Sequence, residues 1–418
     1  MKKKLIAIIS LSLVCLTLFN AFGCKKPIKA KNLSRSVSAE EVETVAIENE
    51  FLLAQTGFSL KLLKESIKYS ENKNDLLSPL SISLALAMLT NGAVGQTKEE
   101  LEGLFGGIPT DKLNAYLYSY TSALKSGEKN KLTFDNSIWL RDDEKLKVEP
   151  NFLQTNANYY KADVFKSAFD ERTVKDINNW ISNNTGGEIN KVIEDISPYT
   201  MAYIINALFF EAEWATIYKD KQVKNGTFTT ENGNEQTVKM MSSTEHQFVE
   251  LKNATGFIKN YKGGNYSFVA LLPNEGITSE QLINSLTAEE TVNALKNVKG
   301  YTVYTKMPKF NYEYSISLVD ALKSMGMQSA FDDNFADFSK FATYDENNLY
   351  VSDVLHKTFI SVAEKGTKAG AVTVISMKAT SAAPTEPKYV YLDRPFVFMI
   401  IDNAHKLPVF IGRVNSVK

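Results

Sequence analysis

The sequence is organised around residues 364–384, which read EKGTKAGAVTVISMKATSAAP. Every second residue from position 367 to position 377 is small or apolar, and none is charged; these are Thr367, Ala369, Ala371, Thr373, Ile375 and Met377. Alternate residues of a strand face opposite sides, so this set could form the buried face of a strand. The two ends, Lys365-Gly366 and Ser381-Ala382-Ala383-Pro384, are typical of an exposed, cleavable loop. The stretch therefore predicts a loop that can become a central strand.

Composition bounds the class of protein. The chain has 418 residues, 44% of them hydrophobic, and a net charge of −1. This length and apolar content suit a large soluble core. The balanced charge and the small number of arginines give no reason to expect nucleic-acid binding. We expect one large domain, because no linker rich in Pro, Gly or Ser divides the middle of the chain.

The N-terminus has the pattern of a targeting segment. A basic start, Met1-Lys2-Lys3-Lys4, precedes a mostly apolar run from Leu5 to Phe22, which is short for a membrane span. Residues 1–23 are therefore predicted to be a signal peptide. The sequence Ala21-Phe22-Gly23-Cys24 resembles a bacterial lipoprotein signal, although Ala21 replaces the usual Leu. This resemblance predicts a lipid on Cys24 and an extracytoplasmic protein anchored to the cell membrane or surface; the alternative is an ordinary signal peptide with an incidental Cys.

Residues 24–46 are expected to form the lipidated Cys and a polar tether, followed by the main domain at 47–418. The alternative for the tether is that Val42, Val45 and Ile47 dock on the domain. Removal of Cys15 with the signal peptide would leave Cys24 as the only cysteine. An internal disulfide or a Cys-based metal site is then impossible.

Helix signals dominate the first half of the domain and strand signals the second, which predicts an α+β fold. Ser78-Pro79 is typical of a helix start. Thr97-Lys98-Glu99-Glu100 is interpreted as a capping box that opens another helix. The apolar run from Met201 to Phe210 is expected to be a strand buried on both faces.

No catalytic or metal constellation emerges, and no cofactor is expected. The chain has three histidines, His246, His356 and His405, and no H-E-x-x-H spacing. The S-x-x-K spacing of penicillin-recognising enzymes occurs three times, at Ser70/Lys73, Ser122/Lys125 and Ser126/Lys129, without its partner motifs. A lipoprotein hydrolase is thus the weakest functional alternative.

Several separated stretches, taken in order, resemble the serpin family. They include Asn74-Asp75-Leu76-Leu77-Ser78-Pro79-Leu80-Ser81, Asn136-Ser137-Ile138-Trp139, Asn206-Ala207-Leu208-Phe209-Phe210 with Trp214, Met307-Pro308-Lys309-Phe310, Ala336-Asp337-Phe338-Ser339, Val351-Ser352-Asp353-Val354 with His356-Lys357, and Phe410-Ile411-Gly412-Arg413-Val414. The resemblance covers roughly residues 48–418. It implies three β-sheets, about nine helices and an exposed reactive loop at about 364–388.

The resemblance also implies a mechanism, that of a suicide-substrate inhibitor of serine endopeptidases, with cysteine endopeptidases as further candidates. A target protease cleaves the loop, and the loop inserts into the large sheet while still acylated to the enzyme. About 14 residues at roughly 3.3 Å each span about 45 Å, the length of a long sheet. We expect a monomer that forms a covalent complex with its target protease.

The family hinge matches Glu364, Lys365, Gly366, Thr367, Ala369, Gly370 and Ala371. Family spacing places the reactive bond between Thr380 and Ser381. The loop is a few residues longer than usual, so Met377, Lys378, Ala379, Ala382 and Ala383 stay open as alternatives. Thr380 beside Ala379 would suit elastase- or subtilisin-like enzymes, whereas Lys378 would suit trypsin-like ones.

The residues that match the region where the large sheet opens are Ser78, Ser81, Asn206, His356, Trp214 and Lys309. The resemblance implies a hydrogen-bonded His–Asn–Ser cluster there and a buried Trp214 at the top of the sheet. Glu364 is expected to pair with Lys309, unless both are simply solvated charges. The main rival function is a non-inhibitory binding protein on the same fold.

Overall fold

The computed structural model describes residues 25–33, 37–70, 73–345, 349–367 and 386–417. Nine α-helices lie within these ranges: α1 Asn49–Ser66, α2 Pro79–Thr90, α3 Gly95–Leu104, α4 Thr110–Ala123, α5 Pro150–Tyr160, α6 Glu171–Asn184, α7 Ser279–Ser285, α8 Ala288–Lys296 and α9 Val319–Met325. Helix α2 begins as its sequence predicts, because the Ser78 hydroxyl accepts a hydrogen bond from Ser81 N and Pro79 occupies the first turn.

Eighteen strands lie within the same ranges. They are β1 Lys31–Asn32, β2 Asp75–Leu77, β3 Asn130–Arg141, β4 Leu146–Val148, β5 Asp163–Ser167, β6 Ala202–Glu213, β7 Val223–Thr229, β8 Glu235–Leu251, β9 Ala254–Asn260, β10 Tyr266–Pro273, β11 Lys299–Pro308, β12 Phe310–Ser317, β13 Ala342–Tyr344, β14 Leu355–Ala363, β15 Gly366–Thr367, β16 Lys388–Tyr391, β17 Phe396–Asp402 and β18 Pro408–Val414.

The strands form three sheets in the described part of the chain. The large sheet has seven strands in the order β1-β5-β3-β6-β15-β14-β12. A nine-stranded sheet runs β16-β11-β8-β9-β10-β17-β18-β2, with β7 beside β8, and β13 pairs with β4 in a small third sheet. With nine helices and three sheets, the predicted α+β architecture is confirmed.

The main core lies between the large sheet and the nine-stranded sheet. Phe210 on β6 meets Tyr261, Tyr266 and Phe410 of the second sheet, with ring centroids 5.2 to 6.3 Å apart. A smaller core forms under α6, where Trp139 stacks on Phe165. Together, these two cores fix the positions of β3 and β6 in the middle of the large sheet.

Two local predictions were wrong. Helix α3 begins at Gly95, and Thr97 lies inside it, where its hydroxyl accepts a hydrogen bond from Asp337 N at 3.0 Å. Strand β6 is buried on both faces only in its second half, since residues 202–206 are all partly exposed. Among the described strands, none pairs with that half of β6 on its β14 side, and this accounts for the exposure.

The segment expected to be a polar tether contacts the domain over residues 25–33. Strand β1 pairs with β5 at the edge of the large sheet. Lys26 and Asn183 of α6 exchange two hydrogen bonds of 2.7 and 2.9 Å, and Ala30 N donates to Asp176 Oδ2 at 2.7 Å. Further along, Val45 N donates to Ser119 Oγ at 2.8 Å, and Ile47 packs against the main core.

The signal peptide and Cys24 lie outside the described residues. Within the described ranges, no helix is long and apolar enough to cross a bilayer.

Candidate functional site

The site is the gap in the large sheet between β6 and β14. At its upper end, the two residues of β15 fill the gap and pair antiparallel with both neighbours. Thr367 lies opposite Ala212 on β6 and Val362 on β14. In the described part of the chain, β6 and β14 are joined through β15 alone. The start of the predicted hinge is therefore already part of the sheet.

Gly366 is required at this point by the closeness of β6. A Cβ atom on Gly366 would overlap the carbonyl oxygen of Ala212 and lie 2.8 Å from the Cα atom of Glu213. Any side chain would push β6 and β15 apart. The sequence analysis singled out Gly366 as a hinge residue, and the structure adds the close backbone approach that excludes other residue types.

Thr367 is packed tightly, with 3% of its surface exposed. Its hydroxyl lies 2.5 Å from the hydroxyl of Tyr261, and the ring of Tyr261 stacks on Trp214 with centroids 4.5 Å apart. Burial raises the pKa of Tyr261 above its ordinary value, so its hydroxyl stays protonated and keeps this hydrogen bond. A small uncharged residue fits this pocket, and a longer or charged one would not.

The backbone just before β15 is held by two aromatic residues. Trp214 N donates to Lys365 O at 2.8 Å, and the Trp214 indole donates to Ala363 O at 2.8 Å. Tyr218 N donates to Glu364 O at 2.9 Å. The turn that leads into the loop is thus fixed to the chain that follows β6. Sequence reasoning placed Trp214 here but missed Tyr218 and Tyr261, for which the linear sequence carries no signal.

The structure brings together the predicted pair at the top of the sheet. Lys309 Nζ lies 2.8 Å from Glu364 Oε1, with side chains 37% and 33% exposed. Partial burial would raise the pKa of Glu364, but the hydrogen bond from Lys309 and further favourable contacts hold it below its ordinary value. Both side chains are about a third exposed, so the contribution of the pair to stability is small.

Below Thr367, no strand of the described part of the chain lies between β6 and β14. A narrow pocket lined by Thr367 and by residues 208–210 and 358–361 leads downward from β15. It shares Leu208 and Thr358 with a cavity of about 580 Å³. That cavity is lined by the first halves of β6 and β14 and by one side of α2. The gap is therefore a continuous slot that begins where the hinge enters the sheet.

Ser78, Ser81, Asn206 and His356 all line the cavity, as the resemblance implied. The expected His–Asn–Ser hydrogen-bonded cluster does not form as a unit. His356 Nε2 accepts from Ser78 N at 3.2 Å, whereas Asn206 donates to Asn136 on β3 at 2.8 Å. Asn206 lies on β6 and His356 on β14, and at this level the described strands do not bring β6 and β14 together. Among the described residues, Asn206 Oδ1 finds no hydrogen-bond partner.

Burial lowers the pKa of His356 to about 4. The imidazole is 6% exposed and accepts a backbone hydrogen bond, both of which favour its neutral form. His356 is therefore a neutral acceptor beside the slot at ordinary pH.

Several predicted site residues lie outside the described residues. They are the hinge residues Ala369, Gly370 and Ala371, and the reactive-bond candidates Met377, Lys378, Ala379, Thr380, Ser381, Ala382 and Ala383. Within the described ranges, no three His, Cys, Asp or Glu side chains are grouped closely enough to hold a metal ion.

Comparisons with known proteins agree with this geometry. A leukocyte elastase inhibitor of Xenopus tropicalis is 29% identical over 87% of this chain and 98% of its own length. An uncharacterised serpin-like protein of Thermococcus kodakarensis is 32% identical over 89% of this chain and 87% of its own. The native crystal structure of the thermophilic serpin tengpin is 46% identical, with a TM-score of 0.87, covering 93% of this chain and all of that one.

Residues 53–417 match the family described as serpin (serine protease inhibitor). This match spans most of the chain and every element of the slot. The chain therefore belongs to the serpin family.

Proposed function

We propose that this protein inhibits serine endopeptidases as a suicide substrate, and that it acts as an inhibitor and not as an enzyme. The observation that carries the proposal is the slot: β15 occupies its upper end, and among the described residues no strand lies below it between β6 and β14. A loop cleaved after Met377 or beyond could fill that space as a full central strand. A protease still acylated to the loop would be carried along with it.

The pairing of β15 defines how such a strand would sit. Thr367 pairs with Ala212, so continuing the same antiparallel register brings Met377 opposite Ala202, the first residue of β6. Every second residue from Thr367 then faces the core, as Thr367 does. The uncharged set in the loop sequence meets the buried side of the sheet, and Lys368 faces outward.

Insertion would be favourable for two physical reasons. Successive inserted residues gain backbone hydrogen bonds alternately to β6 and to β14. Their apolar side chains remove the slot's apolar lining from water, worth about 25 cal/mol for each Å² buried. These gains offset the entropy lost on ordering the loop. The uninserted state is then a kinetically trapped one, in which the stored free energy is released after cleavage.

The target we favour is an elastase- or subtilisin-like enzyme. Thr380 beside Ala379 suits a small or shallow primary pocket, and one relative is itself named a leukocyte elastase inhibitor. Cleavage between Thr380 and Ser381 would leave enough chain beyond Thr367 to fill the slot. Cleavage after Lys378 by a trypsin-like enzyme is the competing choice.

The test is to mix the purified protein with elastase-, subtilisin- and trypsin-like proteases and to separate the products on a denaturing gel. We expect a covalent band at the summed mass with at least one active protease. A protease whose active-site serine is already blocked is the control and should give no such band. Mass spectrometry of the released C-terminal fragment identifies the bond.

Clean cleavage of the loop by every protease, with no covalent band, would reject inhibition and favour the rival, a non-inhibitory binding protein on the same fold. Turnover of an ester or a β-lactam would favour the hydrolase alternative, and we expect none.

We propose in addition that the protein is extracytoplasmic and anchored by a lipid on Cys24. The support is the lipoprotein-like sequence Ala21-Phe22-Gly23-Cys24 after an apolar run. Expression with a labelled fatty acid should label the wild-type protein and not Cys24→Ser. Equal labelling of both, or none of the wild type, would reject the anchor.

A further inference from the structure

A buried lysine lies behind the turn that leads into the loop. Lys259 is on β9, between the buried residues Ile258 and Tyr261, and only 1% of its side chain is exposed. Its ammonium lies 2.7 Å from Glu245 Oε1 on the neighbouring strand β8. A buried cation is costly unless it is paired, so the pairing with Glu245 allows a charge at this position.

The ammonium of Lys259 also faces two aromatic rings. It lies 4.5 Å from the ring centroid of Tyr218 and 5.5 Å from that of Trp214. These are distances at which a desolvated cation is attracted to a ring. Burial alone would lower the pKa of Lys259, but Tyr218 and Glu245 outweigh it and raise the pKa above its ordinary value. The charge is therefore permanent at ordinary pH.

Those two rings belong to the residues that hold the hinge. The backbone N–H groups of Trp214 and Tyr218 bind the carbonyl oxygens of Lys365 and Glu364, at 2.8 and 2.9 Å. The indole of Trp214 binds Ala363 O. One cation thus contacts the side chains of both residues that bind the three successive carbonyl groups from Ala363, the last residue of β14, to Lys365.

We propose that Lys259 is a positioning residue for loop insertion: it locks Trp214 and Tyr218, and through them it fixes the pivot about which residues from Gly366 onward enter the slot. This inference rests on the proposed inhibitory function and deepens it. A fixed pivot favours rapid insertion of the cleaved loop. A loose pivot delays insertion, so the acyl-enzyme has more time to hydrolyse and the protein behaves more as a substrate.

A network around Glu245 holds the lysine in place. Ser243 Oγ donates to Glu245 Oε1 at 2.6 Å and lies 2.9 Å from the hydroxyl of Thr305 on β11. Replacing Lys259 alone would leave Glu245 largely buried without its cation. The informative variant is therefore Lys259→Met/Glu245→Gln, which removes both charges and keeps similar volume.

The matched control is Lys299→Met/Glu250→Gln. Lys299 and Glu250 pair across the neighbouring strands β11 and β8 at 2.9 Å, but their side chains are 59% and 56% exposed. The same two substitutions there remove a similar ion pair that contacts neither Trp214 nor Tyr218.

The first measurement is amide hydrogen exchange. In the Lys259→Met/Glu245→Gln variant, we expect the amides of Trp214 and Tyr218 to exchange about threefold faster or more, since a desolvated cation–π contact is worth up to about a thirtyfold factor. Amides of β10 should keep wild-type rates. Faster exchange throughout β9 and β10 would mean general loosening of the core and would overturn the proposal, as would unchanged exchange at Trp214 and Tyr218.

The second measurement separates loop cleavage from insertion. We expect the stoichiometry of inhibition to rise about threefold or more, with the rate of loop cleavage within twofold of wild type. The control variant should match wild type in both. A slower cleavage rate with unchanged stoichiometry would overturn the proposal.

The stoichiometry of inhibition needs a protease that the wild-type protein inhibits, whereas hydrogen exchange does not. If no protease forms a covalent complex with the wild-type protein, the proposed function fails on its own. Insertion is then followed through the rise in Tm after loop cleavage, which should develop more slowly in the Lys259→Met/Glu245→Gln variant. An unchanged time course would overturn the role of Lys259.

Discussion

The two ends of the slot in the large sheet differ in how they are filled. At the upper end, Thr367 is almost fully buried. The carbonyl oxygens from Ala363 to Lys365 each accept a hydrogen bond from Trp214 or Tyr218, which follow β6. Lower down, β6 and β14 are separated by a cavity of about 580 Å³, and residues 202–206 are partly exposed. In the described part of the chain, the upper end is thus a fully paired sheet, and the lower half lacks a strand between β6 and β14.

The two ends differ in how much burial and hydrogen bonding contribute to stability. The upper end resembles an ordinary sheet, in which a mutation costs what burial and hydrogen bonding predict. The lower half forgoes packing that a filled sheet would have. Under the proposed mechanism both features have a role, because an inserting loop needs a fixed starting point at the top and room for a strand below it.

The strongest test of the upper end is Thr367→Arg. An unpaired buried charge opposes insertion by roughly 3–5 kcal/mol. We expect the covalent complex to fall about a hundredfold or more relative to simple cleavage. Densitometry of a denaturing gel measures this ratio. Thr227→Arg, at an exposed threonine on β7, is the control and should inhibit normally; an unchanged complex in Thr367→Arg would refute the role of the hinge.

The lower half can be tested through His356 by changing pH. Its pKa is about 4 in the folded protein against an ordinary value near 6.5, so the unfolded chain binds a proton first as pH falls. The stability from the neutral imidazole is complete above pH 6.5 and declines by about 3 kcal/mol as pH falls to 4. Urea midpoints of loss of the native state at pH 7.5 and 5.0 measure the part of this decline that occurs above pH 5.0, about 2 kcal/mol.

His356→Gln is the matched variant for that experiment, because its amide oxygen can still accept from Ser78 N. We expect this variant to lose less stability than wild type between the two pH values. Equal losses in both proteins would mean that His356 titrates normally.

Filling the cavity should raise the stability of the native state and impair inhibition. Ala85 on α2 lines the cavity, so Ala85→Leu should stabilise the native state by about 1–2 kcal/mol through added apolar burial. It should also raise the stoichiometry of inhibition, because the added side chain obstructs the slot. Thermal melts and titration against the protease measure the two effects.

Ala294→Leu, at a half-buried alanine on α8 that packs against the main core, is the control for Ala85→Leu. The comparison between the two ends of the slot would be weakened if both variants changed inhibition equally.

The smallest effect is expected for the Lys309–Glu364 pair at the top. Both side chains are about a third exposed, so their coupling free energy should be below about 1 kcal/mol. A double-mutant cycle with Lys309→Met and Glu364→Gln measures it by urea unfolding. A coupling of several kcal/mol would show that this pair, and not the aromatic contacts, holds the upper end together.

Much of the fold could be predicted because the local signals agree with the tertiary structure. The Ser78-Pro79 helix start is an example: the cap and the proline predict the helix, and the helix that follows is buried in the core. The capping box predicted at Thr97 was wrong because the Thr97 hydroxyl accepts a hydrogen bond from Asp337 N instead. Asp337 is distant in sequence, so local sequence rules do not predict this contact.

The failures at the site are more instructive. The apolar run at 201–210 was predicted to be buried on both faces, and its first half is not. That run is suited to a neighbour on its β14 side that the described part of the chain does not supply there. The expected hydrogen bonding between Asn206 and His356 is absent for the same reason, because the described strands do not bring β6 and β14 together at that level. A sequence records the packing of every state the chain must adopt, whereas one structure shows only one of them.

The contact of residues 25–33 with α6 and β5 bears on how the protein would be held at a membrane. A free chain of the 22 residues between Cys24 and Ile47 would have an end-to-end distance of roughly 25 Å and would let the domain turn in any direction. Lys26, only two residues after Cys24, is instead hydrogen-bonded to Asn183 of the domain. A lipid on Cys24 would then hold the domain in one orientation close to the bilayer, and the inhibitor would meet proteases at the surface itself.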